Sequence, residues 1–279
     1  MINHAFAHHI FSPVKTLNIV EVNEAQHHVN VDTTILPGIL RAAELELVPS
    51  RMADIVFSPL LHESLDNLFS REHRGRMFAM LRHPVDRVVS LFYYLQTAEW
   101  EPTYNPIYKD MTIDEYANST YVEANWMVRS LINEWEAPLT MEQFGQAKEI
   151  LRRKCLIGLM SRWNESMERF NKYFDFTLQY EGKDDNMDES GFHEKEYLEC
   201  QDRYNNKGGS NVHQHPKLEK DSDTYNLLKL KNGWDMELYR YIVEELFEEQ
   251  GQVVDEIVLL RETAKINGYS PMVEPEANR

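Results

Sequence analysis

The chain has 279 residues, with 29 Lys and Arg against 46 Asp and Glu, and a formal charge of −17. That charge repels polyanions at long range, which excludes a general nucleic-acid binder and disfavours densely charged acceptors unless cations cluster locally. Five Trp, 14 Tyr and 12 Phe supply enough apolar surface to exclude low-complexity disorder and to require a core.

The first residues, MINHAFAHHIFSPVK, lack the charged flank and long apolar run of a targeting segment. No stretch approaches the roughly 18 consecutive apolar residues of a membrane-spanning helix, so no membrane span is expected. Residues 1–34 form a poorly defined N-terminal segment in which only TLNIVEV (16–22) reads as a strand. Its histidines, His4, His8, His9, His27 and His28, have no carboxylate partners at ligand spacing, so no metal is expected there. Leu36, Ile39, Leu40, Ala43 and Leu47 then mark one face of a helix ending near Pro49. ADIVFSP (53–59) reads as a short strand, and HESLDNLF as a helical turn or two.

RMFAML (76–81) is a continuous apolar run of the kind buried on both faces of a parallel sheet. Pro84 suits the first turn of a helix, in which Val85, Val88, Val89 and Phe92 fall at i, i+3, i+4 and i+7. After an aromatic loop, WEPTYNPIYKDMT, shorter helices are expected around 113–117, 125–133 and 141–154, with a second buried strand, KCLIGL, at 154–159. Cys155 within it reads as a core residue, and with Cys200 it makes too few thiols for a disulfide framework. An amphipathic helix over 161–174 presents Trp163, Met167, Phe170 and Phe174. Residues 181–215 are polar and acidic, a long loop whose acidic part would repel heavily sulfated glycans. From Asp221 to about Lys265 the pattern is helical, with Leu227, Leu228, Leu238, Tyr241, Ile242 and Leu246 as core positions.

Strands alternating with helices imply an α/β fold, a parallel sheet flanked by helices with a helical C-terminal part, and ligands beyond the carboxyl ends of the strands. Arg82 stands at such an end. The unpaired amides and dipole of the helix begun by Pro84 favour an anion there, the Arg82 guanidinium offers a planar two-point contact, and Ser90 offers a hydroxyl two turns on.

The spacing Arg-x-Pro-x-x-Arg-x-x-Ser after a strand resembles the 3′-phosphate-binding segment of sulfotransferases that use 3′-phosphoadenosine 5′-phosphosulfate (PAPS). KCLIGLMSRWNESMERF is similar to a strand and following helix of carbohydrate sulfotransferases, and GGSNVHQHPKLEKDS to their cofactor-covering loop. RHPVDRVVSLFYYL and WEPTYNP resemble runs in the heparan sulfate 2-O-sulfotransferase-like group and in algal sulfotransferase-domain proteins. The likeness covers about residues 36–250, and it implies a P-loop-like sulfotransferase domain over 35–265 followed by a tail over 266–279. It implies PAPS as donor, a carbohydrate hydroxyl as acceptor, no metal, and Arg82 and Ser90 on the 3′-phosphate. Lys207, Gly209, Ser210 and Asn211 are then expected to close over the phosphates, with Lys217 a further cation.

The general base falls on His62 or Glu63 by that resemblance, with His62 preferred because a neutral imidazole accepts a proton near neutral pH. Trp100 and Tyr104 are candidates for an acceptor surface, whereas Phe92 and Leu95 follow the buried stripe. One departure stands out. The family's Pro-Lys-Thr-Gly-like loop for the 5′-phosphosulfate has only SPVKTLN (12–18) as a counterpart, with Lys15 and Thr16 but no glycine. Either that loop is degenerate, leaving a non-catalytic sulfotransferase-like protein, or the chain begins downstream of it. Such enzymes are mostly Golgi-lumenal and membrane-anchored; these residues carry no signal of that location.

Overall fold

A computed structural model describes residues 3–5, 15–23, 26–101, 103–174 and 215–266. The chain divides between Arg76 and Met77 into two compact units.

In the first unit, β1 (Asn3–Ala5), β2 (Ile19–Asn23), β3 (Gln26–Val29) and β4 (Ile55–Val56) form a four-stranded sheet in the order β2-β3-β1-β4. β1 runs parallel to both neighbours, while β2 and β3 are antiparallel. Three helices accompany it: α1 (Leu36–Glu44), α2 (Leu47–Ser50) and α3 (Leu61–Leu68). Val29, Val31, Ile39, Ala42, Leu47 and Leu68 make its core.

The helix expected to run unbroken from Leu36 to Pro49 is interrupted, because Glu46 takes a left-handed conformation with φ 55°. In an unbroken helix Glu46, at i+7 from Ile39 and i+4 from Ala42, would fall on the buried face. The turn carries Glu46 to solvent and brings Leu47 into the core, while Leu36 and Leu40, expected inside, are exposed.

The second unit centres on β5 (Met77–Leu81) and β6 (Cys155–Leu159), paired in parallel from Met77 opposite Cys155 to Leu81 opposite Leu159. Its helices are α4 (Pro84–Leu95), α5 (Ile113–Asn118), α6 (Trp126–Ile132), α7 (Met141–Lys154), α8 (Trp163–Phe174), α9 (Asp223–Lys231), α10 (Gly233–Tyr241) and α11 (Phe247–Ile266). The fold is therefore mixed α/β, mostly helical, with a small parallel sheet. Alternate strand residues face opposite ways, as the pleat requires. Met77, Ala79, Leu81, Cys155, Ile157 and Leu159 pack with side chains of α6, α7 and α10. Phe78, Met80 and Leu156 pack with Phe170 and Phe174 of α8 and Val254 and Val258 of α11.

All of β6 is buried, which pushes the Cys155 thiol up to about 12 and keeps it protonated. β5, expected to be buried on both faces, is only half-buried along its length. Among the described residues, the outer edge of β6 is closed by side chains rather than by a strand. Gln250 accepts from the Ile157 amide at 2.9 Å and donates to the Cys155 carbonyl at 2.7 Å, and Ser166 Oγ accepts from the Leu159 amide at 2.8 Å. These contacts satisfy an edge that would otherwise template pairing with another chain.

Gly158 sets how closely α8 approaches the sheet. A Cβ there would lie 2.7 Å from Phe170 Cζ and 3.0 Å from Met80 Sδ. Gly158→Ala is expected to lower stability by about 1–3 kcal/mol through overpacking, read as a lower urea midpoint with an unchanged slope.

Helix starts follow local capping chemistry. Thr112 with Glu115, and Thr140 with Gln143, form reciprocal capping boxes, and Ser222 caps α9. The core positions expected in the C-terminal helices are buried at Leu228, Leu238, Ile242 and Leu246 and half-buried at Leu227 and Tyr241. A π-helical turn, Ile242–Leu246, joins α10 to α11. The buried Arg169 donates to the nearby Phe247 carbonyl at 2.6 Å and lies over the Phe247 ring. Among the described residues, no helix is long and apolar enough to cross a membrane.

Candidate functional site

β5 ends at Leu81, Arg82 follows it, and Pro84 opens α4. His83 occupies the N-cap position and makes no capping hydrogen bond through its side chain. The strand thus delivers a guanidinium to the start of a helix whose first amides are capped by no side chain among the described residues, where the helix dipole favours negative charge. Ser90 lies two turns along α4, on the same side as His83 and Asp86 by helical spacing. Arg82 and Ser90 are both half-buried, and neither forms a hydrogen bond or ion pair among the described residues. Asp86, in the first turn, is the local anion that opposes a bound one.

The second arginine of the segment has a different task. Arg87 pairs with Glu123 at 3.0 Å and lies 4.2 Å from the centre of the Trp126 ring, so it ties α4 to the start of α6.

The segment leading into α9 lies against α4. Tyr93 stacks on His215 with ring centres 5.1 Å apart and planes 9° apart, and Leu218 joins the cluster of Val85, Val89 and Phe92. His83 sits between two tyrosines, near-parallel to Tyr225 at 6.3 Å and edge-on to Tyr239 at 5.4 Å. Burial, foremost, holds the His83 imidazole below its usual range; Asp86 opposes this, and Lys220 and Lys229 add to it. His83 is therefore neutral near pH 7, and the cations that act on it are Lys220 and Lys229. The pairing of the last two with α4 spans well over a hundred residues of chain, and no local sequence pattern announced it.

The other expected site residues are distributed as follows. Lys207, Gly209, Ser210 and Asn211 lie outside the described residues, as do His213 and most of the acidic loop. Lys217 is exposed in the segment that follows. His62 and Glu63 are half-buried at the start of α3, in the first unit. Lys15 is exposed; Thr16 accepts from Asn18 and Asn30, and the chain continues into β2 rather than into a helix. The loop-to-helix geometry of a phosphate cradle is absent at that point. Trp100 is exposed and Tyr104 half-buried in the loop after α4, while Phe92 and Leu95 are buried as their spacing required. Among the described residues no group of three or more His, Cys, Asp or Glu is placed to hold a metal ion.

No protein-family profile, no curated protein and no solved structure matched this chain.

Proposed function

We propose that the chain is a PAPS-dependent sulfotransferase acting on a carbohydrate hydroxyl, with Arg82 and Ser90 holding the 3′-phosphate of the donor. The observation that carries this reading is the strand-to-helix junction itself. Arg82 stands before an uncapped helix start and Ser90 two turns along it, both half-buried and without a partner among the described residues, and Lys220 and Lys229 add positive charge near His83. These residues fit a phosphate monoester: Arg82 offers two parallel N–H donors, Ser90 one hydroxyl, and the first amides of α4 complete the shell.

When bound, PAPS supplies the sulfuryl group that an acceptor oxygen receives by in-line displacement, leaving adenosine 3′,5′-bisphosphate. The protein's part is to grip the nucleotide, orient the acceptor and take the hydroxyl proton. Titration with adenosine 3′,5′-bisphosphate tests the reading. Binding is expected to weaken as salt is raised, and Arg82→Ala to reduce affinity at least about tenfold, the cost of losing one charge-assisted contact. Absence of binding, or an unchanged affinity in Arg82→Ala, refutes it.

A second reading has its own support. Lys15 and Thr16 lead into β2, without a glycine that would let backbone amides approach a 5′-phosphosulfate. That favours a sulfotransferase-like protein that keeps part of the nucleotide site and does not turn over. Nucleotide binding without transfer of labelled sulfate to any acceptor would select it.

A further inference from the structure

The turn between α3 and β5 gathers positive charge in a chain that carries −17. In SREHRGR (70–76) three arginines fall within six residues beside one carboxylate, Glu72, and Arg71 and Arg74 are exposed. Glu72 is already engaged, accepting from the Ser70 hydroxyl at 2.9 Å. Elsewhere on the surface arginines find acids: Arg152 and Arg153 share Glu149, and Arg240 takes Glu237. Among the described residues, Arg71 and Arg74 form no ion pair.

The backbone that carries them is fixed. The Ser70 amide bonds the His73 carbonyl at 3.1 Å, and the Ser70 hydroxyl oxygen accepts from the amides of Glu72 and His73, each at 3.2 Å. Arg74 Nε donates to the Arg71 carbonyl at 3.1 Å, which holds one guanidinium against the backbone that bears the other and leaves its terminal nitrogens to further partners. Gly75 closes against Phe69, where a Cβ would lie 2.5 Å from Phe69 Cε1. A turn set in advance loses little conformational entropy when a ligand arrives.

We infer that this turn docks an acidic peptide segment, with Arg71 and Arg74 as its two receptors for carboxylates. Two guanidiniums on one turn repel each other, and bound anions relieve that repulsion; the planar fork of arginine matches a carboxylate. Charge selects the class. Screening confines an exposed charge to about 8 Å, so a short acidic segment meets the cations of the turn, whereas a long polyanion such as nucleic acid also meets the net −17. An anionic bilayer is repelled in the same way, and residues 70–76 hold no large apolar side chain to enter it. Clustered arginines are a recurring receptor for acidic peptide motifs.

The full chain would be titrated with dye-labelled hexaglutamate and followed by fluorescence anisotropy, with hexaglutamine, oligodeoxythymidylate and phosphatidylserine vesicles as the other classes. Hexaglutamate is expected to bind, and to bind less tightly as salt is raised. Arg71→Gln, whose side chain takes no part in the turn, should weaken it roughly fivefold, and Arg71→Gln combined with Arg74→Gln at least about tenfold. Arg152→Gln combined with Arg153→Gln removes the same charge from α7 and should leave the affinity unchanged. The inference does not rest on the donor reading. The Arg71 and Arg74 double variant should match the native chain in its response to adenosine 3′,5′-bisphosphate, so the two can fail separately. The docking point is overturned if hexaglutamate does not bind, if hexaglutamine binds as well, or if the double variant binds like the native chain. It is equally overturned if the α7 variant loses as much affinity, or if only the oligonucleotide or the vesicles depend on Arg71 and Arg74.

Discussion

Gly38→Ala is expected to lower the stability of the first unit by about 3 kcal/mol, the upper end of what overpacking usually costs. Gly38 lies in the first turn of α1, where a Cβ would overlap the Asp32 carbonyl oxygen and come within 2.7 Å of its carbon. Both obstacles are backbone, so no rotamer change relieves them. Asp32 cannot retreat without loss either, because its carboxylate accepts from the Thr34 amide at 2.9 Å and the Thr34 hydroxyl at 2.6 Å. The next residue, Thr33, is fully buried and donates to the Phe57 carbonyl at 2.7 Å. The readout has to be local. Every tryptophan lies at Trp100 or beyond, so fluorescence does not report on this unit. Hydrogen exchange of the α1 amides is expected to accelerate by roughly a hundredfold, since 3 kcal/mol is about two powers of ten in an opening equilibrium. Protection equal to that of the native chain would show that the Asp32 turn yields more easily than its contacts imply.

Asp235→Ala should produce the largest loss in the second unit, again about 3 kcal/mol, because it strands two buried amides. Asp235 is almost completely buried at the start of α10, and its two oxygens accept from the amides of Met127 and Val128, each at 2.9 Å. The arrangement is reciprocal. Asn125, in a left-handed conformation with φ 56°, accepts from the Trp234 amide at 2.9 Å, and its own amide donates to Asn232 at 3.0 Å. Each helix start is thereby capped by a residue from the other. A urea midpoint within error of the native value would refute this.

The same carboxylate makes stability depend on pH. Burial raises the Asp235 pKa to about 6, against the pull of the two amides and of Arg87 and Arg129. A folded-state value above the unfolded one means that the native protein holds this proton more tightly. Its contribution is present in full below the ordinary value of 3.8 and is lost as pH rises through about 6. A shift of about two units corresponds to roughly 3 kcal/mol. Native stability, measured relative to Asp235→Asn, should therefore decline by about that amount between about pH 4 and pH 7. A difference that stays flat over the interval would mean that water reaches the carboxylate.

The residues fall into two groups by how far their partners lie along the chain. Local rules sufficed for the strand at 77–81, the turn at Arg82 and the helix from Pro84. An apolar run, a proline at the first helical position and the spacing of Val85, Val88, Val89 and Phe92 act within a dozen residues. The same holds for β6 and for α7. It fails at Glu46, where the periodicity of Leu36, Leu40 and Leu47 points to one face and the core chose another.

Read alone, the residues were enough for the strands at 77–81 and 155–159, the helices that follow them, the candidate anion-binding junction at Arg82 and the buried Cys155, because backbone sterics and hydrophobic periodicity are local. They were not enough for β1 and β3, short and histidine-rich strands in the segment where only 16–22 read as a strand. Only the folded chain could bring Gln250 and Ser166 to the edge of β6, set Asp235 and Asn125 to cap one another's helices, and place Lys220 and Lys229 where their charge acts on His83. Each of these needs a side chain to meet its partner through the folding of the intervening chain. A hydrogen bond reaches about 3 Å and a screened charge about 8–10 Å, and no composition or spacing encodes which distant groups that folding will bring within reach.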